Sequence, residues 1–212
     1  ESLVLLMPTI LTPIFVSFAS QKKDGLTDRF IQRVLPQISY LWGGVFMLIG
    51  LGSIWVIPVF FGQSFSKAIS IFLVLLICLN FGVLNAVGLS IFVSYDMIFK
   101  MSIINLAASI VNLVLDLIFV PVIGIIGAAF ATAVSYFFIS ASYYILVKKL
   151  FYFSVINLLI FQGIVCIQLI GLLVFKDPLI YIVITITAVG TYFVSSKYMG
   201  IFSEEDKTTY NR

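Results

Sequence analysis

Seven apolar runs, none shorter than 18 residues, fill almost the whole of this chain, at positions 2–19, 38–61, 68–93, 101–120, 124–147, 155–175 and 179–196. A helix rises about 1.5 Å per residue, so each run is long enough to cross a hydrocarbon core of roughly 30 Å. Within one such segment only a helix satisfies every backbone polar group without water. The runs predict an all-α fold, a polytopic bundle of seven transmembrane helices.

Composition excludes the soluble alternatives. Hydrophobic residues make up 62 % of the 212 and charged residues 10 %, against about half and about a quarter in globular domains. A water-soluble core of this size cannot hide so much apolar surface. The formal net charge of +3 is therefore no signal for nucleic acid, and its distribution carries the information.

Alternate connections divide the 12 Lys and Arg residues unequally. One side holds ten: Lys22, Lys23, Arg29, Arg33, Lys100, Lys148, Lys149, Lys197, Lys207 and Arg212. The other holds two, Lys67 and Lys176. Cytoplasmic loops carry the excess of positive charge, so the chain is expected to begin outside and end inside. Glu1 leads straight into membrane-grade sequence with no basic leader. The chain is accordingly expected to be the carboxyl-terminal part of a longer protein.

Three regions are expected: residues 1–147 with five spans, residues 148–202 with two more, and a flexible cytoplasmic tail at 203–212 that contains Glu204, Glu205 and Asp206. Between the first two spans, residues 20–37 place Phe30, Ile31, Val34 and Leu35 on one helical face opposite Arg29, Gln32 and Arg33. That pattern suits either a short helix in the headgroup layer leading through Pro36 or a solvated linker. Pro8 and Pro13 in the first span suit a bent helix beside a cavity, or ordinary proline enrichment in membrane helices.

The fourth run carries the sharpest polar pattern. Asn105, Ser109, Asn112 and Asp116 recur at steps of four, three and four and so share one helical stripe. An ionised Asp at mid-bilayer costs about 3 kcal/mol on insertion scales, and intramembrane acids mark pathways or ion sites. These four are the candidate substrate- or ion-binding residues; the competing reading makes the amides and hydroxyl interhelical glue. In the fifth run Gly124, Gly127, Ala128, Ala131 and Ser135 are small and suit close helix packing, with Thr132 and Ser135 able to reach polar partners. Asn80 and Asn85, with Gly82 and Gly88 between and beyond them, are read as packing residues of the third run. Tyr95, Asp96 and Lys100 suggest an interfacial anchor or a salt-bridged gate.

Chemistry of other kinds finds no support. The sequence has no His, no phosphate-cradling Gly-rich loop, no metal-ligand cluster and no nucleophile beside a base. Cys78 and Cys166 both fall within apolar runs, as small apolar residues do. No cofactor, metal or nucleic-acid partner is expected, and no enzyme activity.

From Asn112 to Tyr136 the chain reads N-L-V-L-D-L-I-F-V-P-V-I-G-I-I-G-A-A-F-A-T-A-V-S-Y. This run resembles the oligosaccharide-lipid flippases of polysaccharide biosynthesis, within the multidrug/oligosaccharidyl-lipid/polysaccharide exporter superfamily. Phe61-Gly62 and the Pro13 region agree with it. The resemblance implies the carboxyl-terminal half of a fourteen-helix, two-bundle transporter, its spans matching the eighth to the fourteenth. It implies a multi-pass protein of the bacterial cytoplasmic membrane. The partners implied are a lipid-linked oligosaccharide, membrane lipids and the missing amino-terminal helices. The implied task is moving undecaprenyl-diphosphate-linked sugar units outward by alternating access. Asn112 and Asp116 carry over as cavity-lining positions, although the family often has Asn where Asp116 stands. A cation-coupled multidrug exporter of the same superfamily is the alternative, with Asp116 as the ion site.

Cysteines introduced near residues 65 and 150 are expected to react with a membrane-impermeant thiol reagent from opposite faces of the membrane. Labelling of both from one face would end the seven-span reading.

Overall fold

A computed structural model of the chain describes residues 2–21, 24–151, 156–175 and 177–198. The described residues form eight α-helices, α1 (Ser2–Ser20), α2 (Asp24–Phe61), α3 (Ser66–Asn80), α4 (Gly82–Ser94), α5 (Ile98–Ile123), α6 (Ile125–Leu150), α7 (Ile156–Val174) and α8 (Pro178–Tyr198), with one 3₁₀ turn at Gln63–Phe65 and no strand. Among the described residues five stretches are long and apolar enough to cross a membrane: Gly25–Phe61, Gln63–Asn80, Ile98–Ile123, Ile125–Leu150 and Leu179–Tyr198. Met7–Ser20, Leu84–Ser94 and Leu159–Val174 are shorter apolar helices. An all-helical bundle of this composition is a membrane protein by its physics. Large apolar side chains such as Phe60, Leu117 and Leu179 stand 78, 69 and 73 % exposed, which suits lipid and not water.

Residues 24–37 differ from the separate headgroup helix that their face pattern suggests. They are the first part of α2, whose 38 residues amount to about 57 Å of helix. Thr27, Ile31, Leu35 and Ser39, spaced at four, are all buried, so one stripe runs unbroken past Pro36 and keeps the helix docked. Arg29, Gln32 and Arg33 lie on the exposed side. The tail at 203–212 and Lys22, Lys23 and Lys176 lie outside the described residues.

The third apolar run is also not one rod. It breaks at Phe81, between α3 and α4. The Phe81 N–H turns back to the Cys78 carbonyl at 3.2 Å, and the Leu84 N–H goes to the Phe81 carbonyl at 3.1 Å. Asn80 thereby loses the amide that a continuous helix would give its carbonyl. The Gln162 amide of α7 supplies a donor to that carbonyl at 3.3 Å, and the Asn80 amide donates to the Gln162 carbonyl at 3.0 Å.

Two buried apolar clusters hold the bundle. One gathers Phe15 of α1, Ile31 and Leu35 of α2, Ile91 and Phe92 of α4 and Tyr143 of α6. The other gathers Phe46 and Met47 of α2, Leu73 and Leu76 of α3, Phe161 and Leu169 of α7 and Tyr192 of α8. Since α2 feeds both, it ties the last two helices to the rest. Close helix approach rests on glycines: a Cβ at Gly88 would lie 2.5 Å from the Tyr143 ring.

Contacts at successive levels fix relative directions. Asn105 meets Tyr143, Asn112 meets Ser135, and Phe119 meets Gly127, so α5 and α6 run antiparallel. Gly43 faces Val165 and Gly50 faces Leu169, so α2 and α7 run the same way. Thr27 hydrogen-bonds Tyr95 at 3.0 Å, and the Tyr95 ring meets Phe151 at 5.0 Å. The segments rich in positive charge around residues 29–33, 100 and 148–149 therefore meet at one end of the bundle.

Gln162→Leu keeps the side chain's bulk and removes the donor to the Asn80 carbonyl. It is expected to destabilise the protein by about 1–3 kcal/mol, read as a lowered thermal midpoint in detergent micelles.

Candidate functional site

The polar stripe of α5 faces α6, and the structure divides its four members among three tasks. Asn105 accepts a hydrogen bond from the Tyr143 hydroxyl at 3.0 Å and so joins the two helices near their charged end. Ser109, exposed, donates to the Asn105 carbonyl at 2.9 Å. Asn112 donates to Asp116 Oδ2 at 3.3 Å, one turn further along. The other carboxylate oxygen of Asp116 is buried with no hydrogen-bond partner among the described residues.

Ser135 of α6 stands opposite Asn112. Its hydroxyl lies 2.9 Å from the Ala131 carbonyl and 3.3 Å from Asn112 Oδ1. A hydroxyl has one proton, so Ser135 serves one of these acceptors at a time. In one arrangement an unbroken row runs Ser135 to Asn112 to Asp116. The row fixes the amide: with its oxygen toward Ser135, its nitrogen faces the carboxylate.

Between the two helices lies a cleft of about 220 Å³, lined by Ala108, Ser109 and Asn112 of α5 and by Thr132, Ser135, Tyr136 and Ile139 of α6. Asp116 contributes nothing to this wall; it backs Asn112 from one turn away. On the far side of Thr132 and Tyr136 a second cleft of about 280 Å³ opens toward α3, against Phe72, Leu76 and Cys78. Thr132 and Tyr136 therefore form a partition shared by both. A groove of about 570 Å³ runs between α7 and α8 and is apolar apart from Gln168, Thr187 and Thr191. The Gln168 amide is tied to the Met47 carbonyl at 3.3 Å and to Thr185 Oγ1 at 3.4 Å.

Thr132, Ser135, Tyr136 and Ile139 sit at i, i+3, i+4 and i+7, one face of α6. The signal for Tyr136 as a cleft residue was thus in the sequence, masked by the small residues around it. Those small residues have separate duties. Ala131 is fully buried, and a Cβ at Gly127 would meet the Phe119 backbone at 2.6 Å. Gly124 lies outside this packed stripe: nothing comes within 4 Å of its Cβ position, and its φ of +64° makes the turn between α5 and α6. Asn80 and Asn85 make interhelical bonds, Asn80 with Gln162 and Asn85 by accepting from Ser140 at 2.8 Å. No salt bridge joins Asp96 to Lys100; Asp96 stands exposed in the left-handed region, φ 56°. Among the described residues no three His, Cys, Asp or Glu side chains converge.

No family model, no curated protein and no solved structure matches the chain.

Asn105 and Tyr143 should be energetically coupled. A double-mutant cycle with Asn105→Leu and Tyr143→Phe, measured by unfolding in detergent, is expected to give a coupling of about 0.5–1.5 kcal/mol. A value of zero would leave the 3.0 Å contact without a stabilising role.

Proposed function

We propose that the chain is the carboxyl-terminal part of a flippase that carries undecaprenyl-diphosphate-linked oligosaccharide across the bacterial cytoplasmic membrane by alternating access, without a covalent step. The observation that carries this reading is the Ser135–Asn112–Asp116 row, with an intramembrane carboxylate, beside an open polar cleft. Polar groups inside a bilayer are retained where they face a cavity or a partner, and this row does both. The resemblance of residues 112–136 to the flippases covers the same two helices. Alternating helix directions and the gathering of basic segments at one end support seven spans with an inside carboxyl end. In a two-bundle arrangement the polar side of α5 and α6 would face the amino-terminal helices across the transport cavity, with α7 and α8 behind.

A second reading has one observation in its favour. The buried Asp116 oxygen without a partner is what a cation-coupled multidrug exporter would use to hold its ion. The Asn112 nitrogen faces the other carboxylate oxygen, Oδ2, and so leaves Oδ1 open to such an ion.

Asp116→Ala in the full-length protein is expected to lower surface polysaccharide export several-fold while the protein still inserts in the membrane at its normal level. Export at the wild-type rate would remove Asp116 from the mechanism.

A further inference from the structure

We infer that the α5–α6 cleft is the subsite for one uncharged sugar ring of the cargo, and that the diphosphate is held elsewhere. This inference rests on the flippase reading and adds which part of the substrate these residues take.

The first argument is where the hydroxyl protons are committed. Ser109 donates to the Asn105 carbonyl and Thr132 to the Ala128 carbonyl, each at 2.9 Å. Ser135 donates to its own helix or to Asn112. Having spent their protons, these hydroxyls of the cleft wall have only lone pairs left to offer a ligand, and Asn112 adds the oxygen of its amide. A wall of acceptors binds a ligand rich in O–H donors.

Charge gives the second argument. No Lys or Arg lines the cleft, and Asp116 stands directly behind it. A phosphate needs cationic partners or aligned N–H donors, and here it would meet lone pairs backed by a carboxylate. An anionic ligand is rejected.

A bare cation also fits poorly. It needs several oxygens converging at about 2.3–2.6 Å, whereas these oxygens, within one turn of each of two helices, stand around about 220 Å³ of open space. Sugar hydroxyls are spread in the same way around a ring. The remaining wall, Ala108, Ile139 and the Tyr136 side chain, is apolar or aromatic and suits the C–H face of a pyranose.

The test uses the full-length protein in lipid nanodiscs and two probes: undecaprenyl diphosphate, and the same lipid bearing one neutral N-acetylhexosamine. Wild type is expected to bind the glycosylated lipid about ten-fold tighter than the bare one, the equivalent of one or two hydrogen bonds. Thr132→Val with Ser109→Ala, near-isosteric changes, should abolish that preference and leave affinity for the bare lipid unaltered, which also shows the variant to be folded. Asn112→Leu should do the same. Retention of the preference in these variants would overturn the inference, as would an equal loss of both lipids at an unchanged thermal midpoint, since the cleft would then contact the diphosphate or the chain. A sodium-dependent affinity that disappears on these substitutions would replace the sugar by a cation. Binding of both lipids with no preference in wild type refutes the subsite alone. Binding of neither refutes the flippase reading, and the subsite falls with it.

Discussion

A backbone carbonyl without its helical amide has no water to turn to inside a hydrocarbon core, and leaving it unpaired costs several kcal/mol. A donor from a neighbour answers that cost where a helix in this bundle is interrupted. The break at Phe81 shows how. Tightening one turn frees the Asn80 carbonyl, and the Gln162 amide of α7 reaches it while the Asn80 amide reaches back to the Gln162 carbonyl. One pair of side chains thereby tolerates a discontinuity in α3–α4 and fastens α7 to it. Ser140 of α6, 2.8 Å from Asn85 and 3.5 Å from the Phe81 carbonyl, attends the other side of the break.

Apolar packing then decides which helices stay together. In lipid no hydrophobic force drives helices against one another, so close contact and interhelical hydrogen bonds do the work. Gly43 admits Tyr192, whose hydroxyl reaches the Ser39 and Tyr40 carbonyls and donates to one of them at a time, and Gly88 admits the Tyr143 ring. The long α2 runs through both apolar clusters, so the last two helices are packed on it rather than appended. By contrast α5 is packed chiefly on α6, with Leu106, Leu113 and Leu117 all more than 60 % exposed. The helix that carries the polar stripe is thus the one least enclosed by the others, a suitable place for a surface that meets a substrate.

The polar row follows the same accounting. Asn105, Asn112 and Ser135 have partners across the α5–α6 seam, so glue and cavity wall are not competing descriptions of this stripe: Asn105 acts as the first, Ser109 as the second, and Asn112 as both. The sequence could rank Asp116 as the most costly residue to bury. It could not show that this carboxylate backs Asn112 from outside the cleft.

Sequence alone determined the all-helical class, the approximate place of each apolar helix and the charge imbalance, because helix length, hydropathy and Lys/Arg position are local properties that a bilayer reads directly. It also placed Asn105, Ser109, Asn112 and Asp116 on one face, since helical periodicity is local too. Tertiary structure decided what depends on a neighbour: that α2 continues through Pro36 because Thr27, Ile31 and Leu35 are buried with α1 and α4 beside them; that a break at Phe81 survives because Gln162 is there to cap it; and that Tyr136 and Thr132 complete the cleft. An apolar run states that a helix is stable in lipid, but which donor meets which freed carbonyl is fixed only when the helices are side by side.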